Sequence, residues 1–111
     1  METIGWADFE RVELRVGTVL SAMPLEGARK PAYRLEIDFG PLGVKRSSAQ
    51  VTDLYRAEDL VGRQVLAVVN FPPKRIAGFV SEVLVTGVAD EAGRVVLVTL
   101  DHMVPNGAKL F

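Results

Sequence analysis

AYRLEIDFGPLGVKRSSAQV, Ala32 to Val51, is the stretch that decides the fold. In its first half apolar and charged residues alternate. An extended chain therefore carries Tyr33, Leu35, Ile37 and Phe39 on one face and Arg34, Glu36 and Asp38 on the other. That is a half-buried strand, with Tyr33 and Phe39 expected in the core because they share a face with Leu35 and Ile37. Pro41 to Gly43 reads as a short hairpin connection, and VKRSSAQV returns as a more polar strand whose Lys45 and Arg46 point to opposite faces.

The neighbouring segments extend the pattern. Upstream, LRVGTVLSA (Leu14 to Ala22) reads as a strand, with Gly17 marking a bulge or sharp bend of the kind that closes a small barrel, and MPLEGARKP as a loop. Downstream the alternation stops at TDLYRAEDLVG, where Thr52 or Asp53 can cap a short helix or 3₁₀ turn and Gly62 can end it. QVLAVVN (Gln64 to Asn70) is the most apolar strand and is expected to be buried on both faces. The prolines of FPPKR end its pairing and leave Lys74 and Arg75 in a basic loop. SEVLVTGVA and RVVLVTL, joined by DEAGR, form a hairpin, and VPNG a turn. At the start, WADFERVEL forms a helical turn that presents Trp6, Phe9 and Val12, capped by Asp8 or the residues before it.

Five strands with a short helix between the third and fourth is the order of a small Greek-key barrel. The expectation is an all-β, five-stranded OB-fold with N- and C-terminal extensions, one domain over residues 1–111. Composition agrees: 49% hydrophobic and 24% charged residues suit one packed domain. The absence of cysteine excludes disulfides, thiolate zinc sites and cysteine nucleophiles, and the single histidine excludes a histidine-rich metal centre. No apolar run approaches the roughly 18 residues of a membrane span, so no membrane insertion is expected. METIGWADFE lacks the basic and apolar regions of a signal peptide, so the expected address is the cytoplasm.

The net charge of −1 conceals segregation. Residues 27–46 hold five bases against two acids, and residues 63–75 hold three bases and no acid, whereas the remaining stretches are acidic. In an OB-fold, strands two and three and the loops after strands one and four form the oligonucleotide-binding side. The basic residues coincide with those elements: Arg29 and Lys30 after strand one, Arg34, Lys45 and Arg46 in strands two and three, Lys74 and Arg75 after strand four. Such a surface neutralises phosphates. If the blocks do not meet in space, they are solvated faces and turns.

Other residues admit two readings. Asn70 terminates its strand through local backbone or contacts RNA. Ser81 begins a strand, and Glu82 pairs with Arg75 or Lys74, or both border the RNA site. Phe71 reads as barrel core, the alternative being an exposed aromatic for a base or an apolar peptide side chain. Trp6, Phe9, Val104, Pro105, Leu110 and Phe111 are more apolar than frayed termini require, and either cap the barrel or pack on a second copy. No enzyme is expected. Asp101 and His102 point to opposite faces of a strand unless a turn intervenes, and Ser47 and Ser48 lack a nucleophile context. There is no glycine-rich phosphate loop or acidic metal motif, so no cofactor and no metal is expected.

FERVELRVG (Phe9 to Gly17), KPAYRLEIDFG (Lys30 to Gly40), RSSAQVTDLY (Arg46 to Tyr55), LVGRQVLAVVNFPPKRIAGFVSEVLVTG (Leu60 to Gly87) and VPNGAK (Val104 to Lys109) together resemble one family. It is the tRNA-binding OB-domain family, found in CsaA, in structure-specific tRNA-binding proteins, and appended to some methionyl- and tyrosyl-tRNA synthetases. The segments match its stand-alone CsaA branch, with NFPPKRIAGFVSEVL the most specific. One position departs: Glu13 stands where the family usually has Asp. The resemblance implies a homodimer that binds tRNA or other structured RNA and acts as a chaperone in the export of presecretory proteins. It also implies RNA contacts by Asn70, Ser81 and Glu82, and a dimer seam of Trp6, Phe9, Val12, Val104, Pro105, Leu110 and Phe111. An apolar pocket of Phe71, Pro72 and Phe79 near that seam would take unfolded polypeptide. Basic export signals would be repelled by the Arg-Lys face and would need apolar or acidic surface, such as that near Glu26, Asp53 or Glu82.

Overall fold

Alternation at residues 33–39 does bury one face: Leu35 is 2% exposed, and Ile37 and Phe39 not at all. The computed structural model describes residues 1–111. In chain order it has α1 (Trp6–Glu10), β1 (Leu14–Pro24), β2 (Tyr33–Asp38), a 3₁₀ turn (Gly40–Leu42), β3 (Val44–Ala49), α2 (Ala57–Leu60), β4 (Gln64–Val68), β5 (Lys74–Ile76), β6 (Phe79–Ser81), β7 (Leu84–Val85), β8 (Gly87–Ala89) and β9 (Val95–Leu97). An antiparallel sheet runs β3-β2-β1-β4-β7, with β5–β6 and β8–β9 as separate hairpins. This is a nearly closed OB barrel, with α2 between β3 and β4 as expected. Leu60 of α2 is fully buried in the core, which includes Val19, Val51, Val65 and Val83.

Closure runs through polar groups of β3. Ser47 Oγ donates to the Val83 carbonyl at 3.1 Å, and the Ser48 N–H donates to Ser81 Oγ at 3.0 Å. The Glu82 N–H donates to the Arg46 carbonyl at 2.8 Å. These bonds join β3 to the β6–β7 segment where no regular ladder forms.

β1 is shared between two neighbours. Leu14 to Thr18 pair with β4, and Thr18 to Pro24 with β2, the register shifting between Val19 and Ser21. The irregularity therefore lies beyond Gly17, not at it. Gly17 answers a different demand: a Cβ there would lie 2.5 Å from Ile37 Cγ2 and 2.8 Å from the Phe39 ring.

Other expectations need correction. The helix begins at Ala57, while Thr52 and Asp53 lie in the preceding turn; Gly62, at φ +88°, ends it as foreseen. Lys74 and Arg75 are not in a loop but in β5, which returns to β6 through Ala77 (φ 50°) and Gly78 (φ 78°). Positive φ at both central residues matches the twist of a tight hairpin.

VPNG is more than a turn. The chain after it lies along β1 on the side that β2 leaves free, with Gly107 N–H to Val16 O at 2.7 Å and Leu110 N–H to Leu14 O at 2.9 Å. The buried Gln64 amide anchors it, donating to the Val104 carbonyl at 2.7 Å and accepting the Val104 N–H at 3.0 Å. Thr18 Oγ1 donates to Asn106 Oδ1 at 2.7 Å. Of the terminal apolar residues, Phe9 and Val104 are half-buried, whereas Trp6, Val12, Pro105, Leu110 and Phe111 stay exposed. The Trp6 and Phe9 rings pack together at 5.4 Å, and Asp8 accepts the Gly5 N–H that opens α1.

Both ends of the chain converge on Glu13. Its carboxylate accepts from Arg15 Nε at 2.9 Å and lies 3.6 Å from Lys109 Nζ. The Arg15 hydrogen bond, reinforced by Lys109, holds the Glu13 carboxyl below its usual 4.5.

Two outcomes are expected. Gly17→Ala forces a methyl into Ile37 and should cost about 1–3 kcal/mol, read as a lower midpoint in guanidinium unfolding. For Glu13 the folded pKa is the lower one, so its contribution is present above pH 4.5 and is lost as pH falls through that folded value. Glu13→Gln should therefore be less stable than the parent at neutral pH and converge with it in acid, measured as unfolding midpoint against pH.

Candidate nucleic-acid interface

Residues of β2 and β3 that do not face the core make the outer surface of the barrel. Across the two strands Arg34 stands opposite Ser48 and Glu36 opposite Arg46. The β5–β6 hairpin lies beside them, and the Arg46 guanidinium sits over the Phe79 ring, 5.3 Å from its centroid. The turn after β1 approaches the hairpin tip, since a Cβ on Gly27 would be 3.5 Å from Ala77 Cβ. Together they enclose a groove of about 550 Å³ in which Met23, Glu26, Arg34, Arg46 and Phe79 meet.

The basic residues divide accordingly. Arg34 and Arg46 share this groove, and exposed Arg29 and Lys30 lie in the bend that follows the Glu26–Gly27 turn and leads to β2. Lys45 does not join them: it is half-buried and opposes Ile37 on the other face of the sheet. Alternation puts Lys74 on the hairpin face of Phe79 and Ser81, and Arg75 on the reverse face with Val80. The ion pairs of the molecule are Arg15–Glu13, Arg56–Asp59, Arg94–Asp90, His102–Asp101 and Lys109–Glu13. None engages Arg29, Lys30, Arg34, Arg46, Lys74 or Arg75, so these six cations are left without a carboxylate. Lowered carboxyl pKa values lie elsewhere as well, at Glu13, at Asp59 beside Arg56, and at Asp90, which accepts the Arg94 backbone N–H.

Other candidate residues are engaged in structure. Asn70 Oδ1 accepts the Glu13 N–H at 3.0 Å and Nδ2 donates to the Arg11 carbonyl at 2.8 Å, so its partners are distant in sequence. Ser81, 8% exposed, accepts the Ser48 N–H. Glu82 pairs with neither Arg75 nor Lys74; its carboxylate accepts the Arg46 backbone N–H at 3.0 Å. Phe71 is not core, being 52% exposed. With Pro72 it lines an apolar groove of about 600 Å³ between the two hairpins, whose walls include Ile76, Leu84 and Val88 and whose edge carries Lys74. Phe79 belongs to the arginine groove instead, so Phe71, Pro72 and Phe79 do not form one pocket.

Asp101 and His102 do meet, because a bend intervenes, but at 3.1 Å in open solvent. No group of three metal-binding side chains occurs, and no helix is long and apolar enough to cross a membrane. Ser21, Met23 and Glu36 stand near Phe79 with no local pattern to announce it, since their approach depends on the hairpin.

The family model described as "Putative tRNA binding domain" matches residues 14–109. The chaperone CsaA of Bacillus anthracis is 55% identical, with a TM-score of 0.93 over 99% of this chain and 100% of that one. The CsaA chaperone protein of Picrophilus torridus is 44% identical, with a TM-score of 0.91 over 98% and 100%. The methionine–tRNA ligase of Methanocaldococcus jannaschii is 31% identical over 110 residues, and the chain spans only 17% of that ligase's length. A five-strand OB barrel and full-length likeness to two CsaA structures thus agree that the chain belongs to the tRNA-binding domain family, in its CsaA branch.

Proposed function

We propose that the protein binds tRNA or other structured RNA through the Arg34–Arg46 face and serves, without catalysis, as a cytoplasmic chaperone in protein export. The observation that carries the RNA reading is the pair of guanidiniums on adjacent strands with no carboxylate partner. Each phosphate such groups neutralise releases counterions, which supplies most of the sequence-independent affinity. Ser81, Glu82 and Asn70 support this face by fixing β3 and the end of β4; Lys45, Lys74 and Arg75 extend the positive field around it.

Polypeptide is assigned to the other groove. Phe71 and Pro72 offer apolar surface to an extended chain, and Glu82 also lines that groove, so a basic presecretory segment meets an acid there. Phe79 serves RNA in this scheme. Exposed Trp6, Val12, Pro105, Leu110 and Phe111, with Phe9 and Val104 behind them, favour a homodimer packed through the termini. Two RNA faces on one particle would then bind a large RNA with avidity. A chaperone that binds unfolded polypeptide alone is the competing reading, favoured by the size of the apolar groove.

The test is the affinity for unfractionated tRNA as a function of salt, on protein of measured solution mass. Log K should fall linearly with log salt, and changing Arg29, Lys30, Arg34 and Arg46 to Ala should weaken binding and flatten the slope by about 1 per lost phosphate contact. Binding that is absent or indifferent to salt would refute the RNA reading and leave polypeptide as the ligand.

A further inference from the structure

We infer that the small recess beside Phe79 holds one unpaired guanine of the bound RNA, so that the protein reads a base as well as phosphates. The inference rests on the RNA reading above. The recess, about 170 Å³, adjoins the arginine groove and is formed by Ser21, Met23, Arg34, Glu36, Arg46 and Phe79, with Leu35 between the strands' exposed side chains. It has room for one planar heterocycle.

Its central oddity is Glu36. A surface built only for phosphates has no use for a carboxylate between two arginines, because that charge repels the ligand. Glu36 is the cross-strand neighbour of Arg46, yet it forms an ion pair with neither Arg46 nor Arg34, and its one hydrogen bond comes from Ser21 Oγ at 3.3 Å. Arg46 is instead held over Phe79. The arrangement leaves a flat guanidinium–aromatic surface for stacking, a carboxylate that accepts, and the Arg34 guanidinium, whose Nη2 is turned to Met23 Sδ at 2.7 Å and whose other N–H groups can donate.

Among the four bases, guanine fits all three. Its N1–H and 2-amino group are adjacent donors for a carboxylate, and its O6 and N7 are the acceptors a guanidinium engages. Adenine and cytosine offer one donor beside a ring-nitrogen lone pair, and uracil sets its N3–H between two carbonyls, so each places an acceptor against Glu36. Use of the Watson–Crick edge requires that the base be unpaired and splayed out, the usual state in which RNA bases are read. Glu36 then selects by repulsion as much as by attraction.

The experiment uses one RNA stem-loop with a single variable loop base, G, A, C, U or inosine, titrated at fixed salt against the full chain. The G form should bind about tenfold tighter than the A, C and U forms. Inosine, which lacks only the 2-amino donor, should fall between. Glu36→Gln should erase most of the preference without weakening the A form, and Phe79→Leu, a variant that keeps the site apolar, should weaken all forms together. Equal binding of all five RNAs would overturn the guanine pocket while sparing the RNA reading, and absence of binding by all five would overturn both.

Discussion

The approach of β1 to the side chains of β2 is the constraint on which the rest of the molecule depends. One eleven-residue strand pairs with β4 through its first half and with β2 through its second, and the crossing point is crowded by Ile37 and Phe39. Gly17 leaves space there that no other residue would. With that contact made, the inner face of β2 closes over Leu60 and Val65, and its outer face, with Arg34 and Glu36, is turned to solvent. The position of the candidate RNA surface is therefore a consequence of core packing. Backbone conformation has little part in it, because Gly17 does not have a positive φ.

Charge is distributed by the same logic. Acids are coupled to bases at the chain ends, at α2 and at the β8–β9 turn, whereas the cations around β2, β3 and β5 are left free. Exposed ion pairs add little stability, so unpaired arginines cost the fold little. They retain their full field for an anionic partner. The apolar groove lies across the β5–β6 hairpin from the arginines, and that hairpin separates two surfaces of opposite character within about ten residues of sequence.

Much of this was legible in the sequence because it obeys short periods. Residues 33–39 alternate, residues 64–68 do not, and the two patterns distinguish a half-exposed strand from a buried one. The charge blocks were legible for the same reason. The β5–β6 hairpin was not: Pro72 and Pro73 argue against a ladder, and the turn uses Ala77 at positive φ, where glycine or asparagine is the common signal. Its omission misplaced Lys74 and Arg75, and made Phe71 and Phe79 look like parts of one pocket. The backbone partners of Asn70, at Arg11 and Glu13, lie nearly sixty residues away, beyond any local pattern.

The segment that follows VPNG has a temporal meaning. Leu14 receives its last backbone partner from Leu110, and Val16 its partners from Gly107 and Ala108. Contacts this remote in sequence are slow to form, and during synthesis they cannot form before residue 110 exists. Until then β1 keeps one open edge, the kind of edge on which other chains pair. A protein proposed to hold presecretory polypeptide thus carries an exposure of the same kind in its own β1 until residues 107–110 are in place.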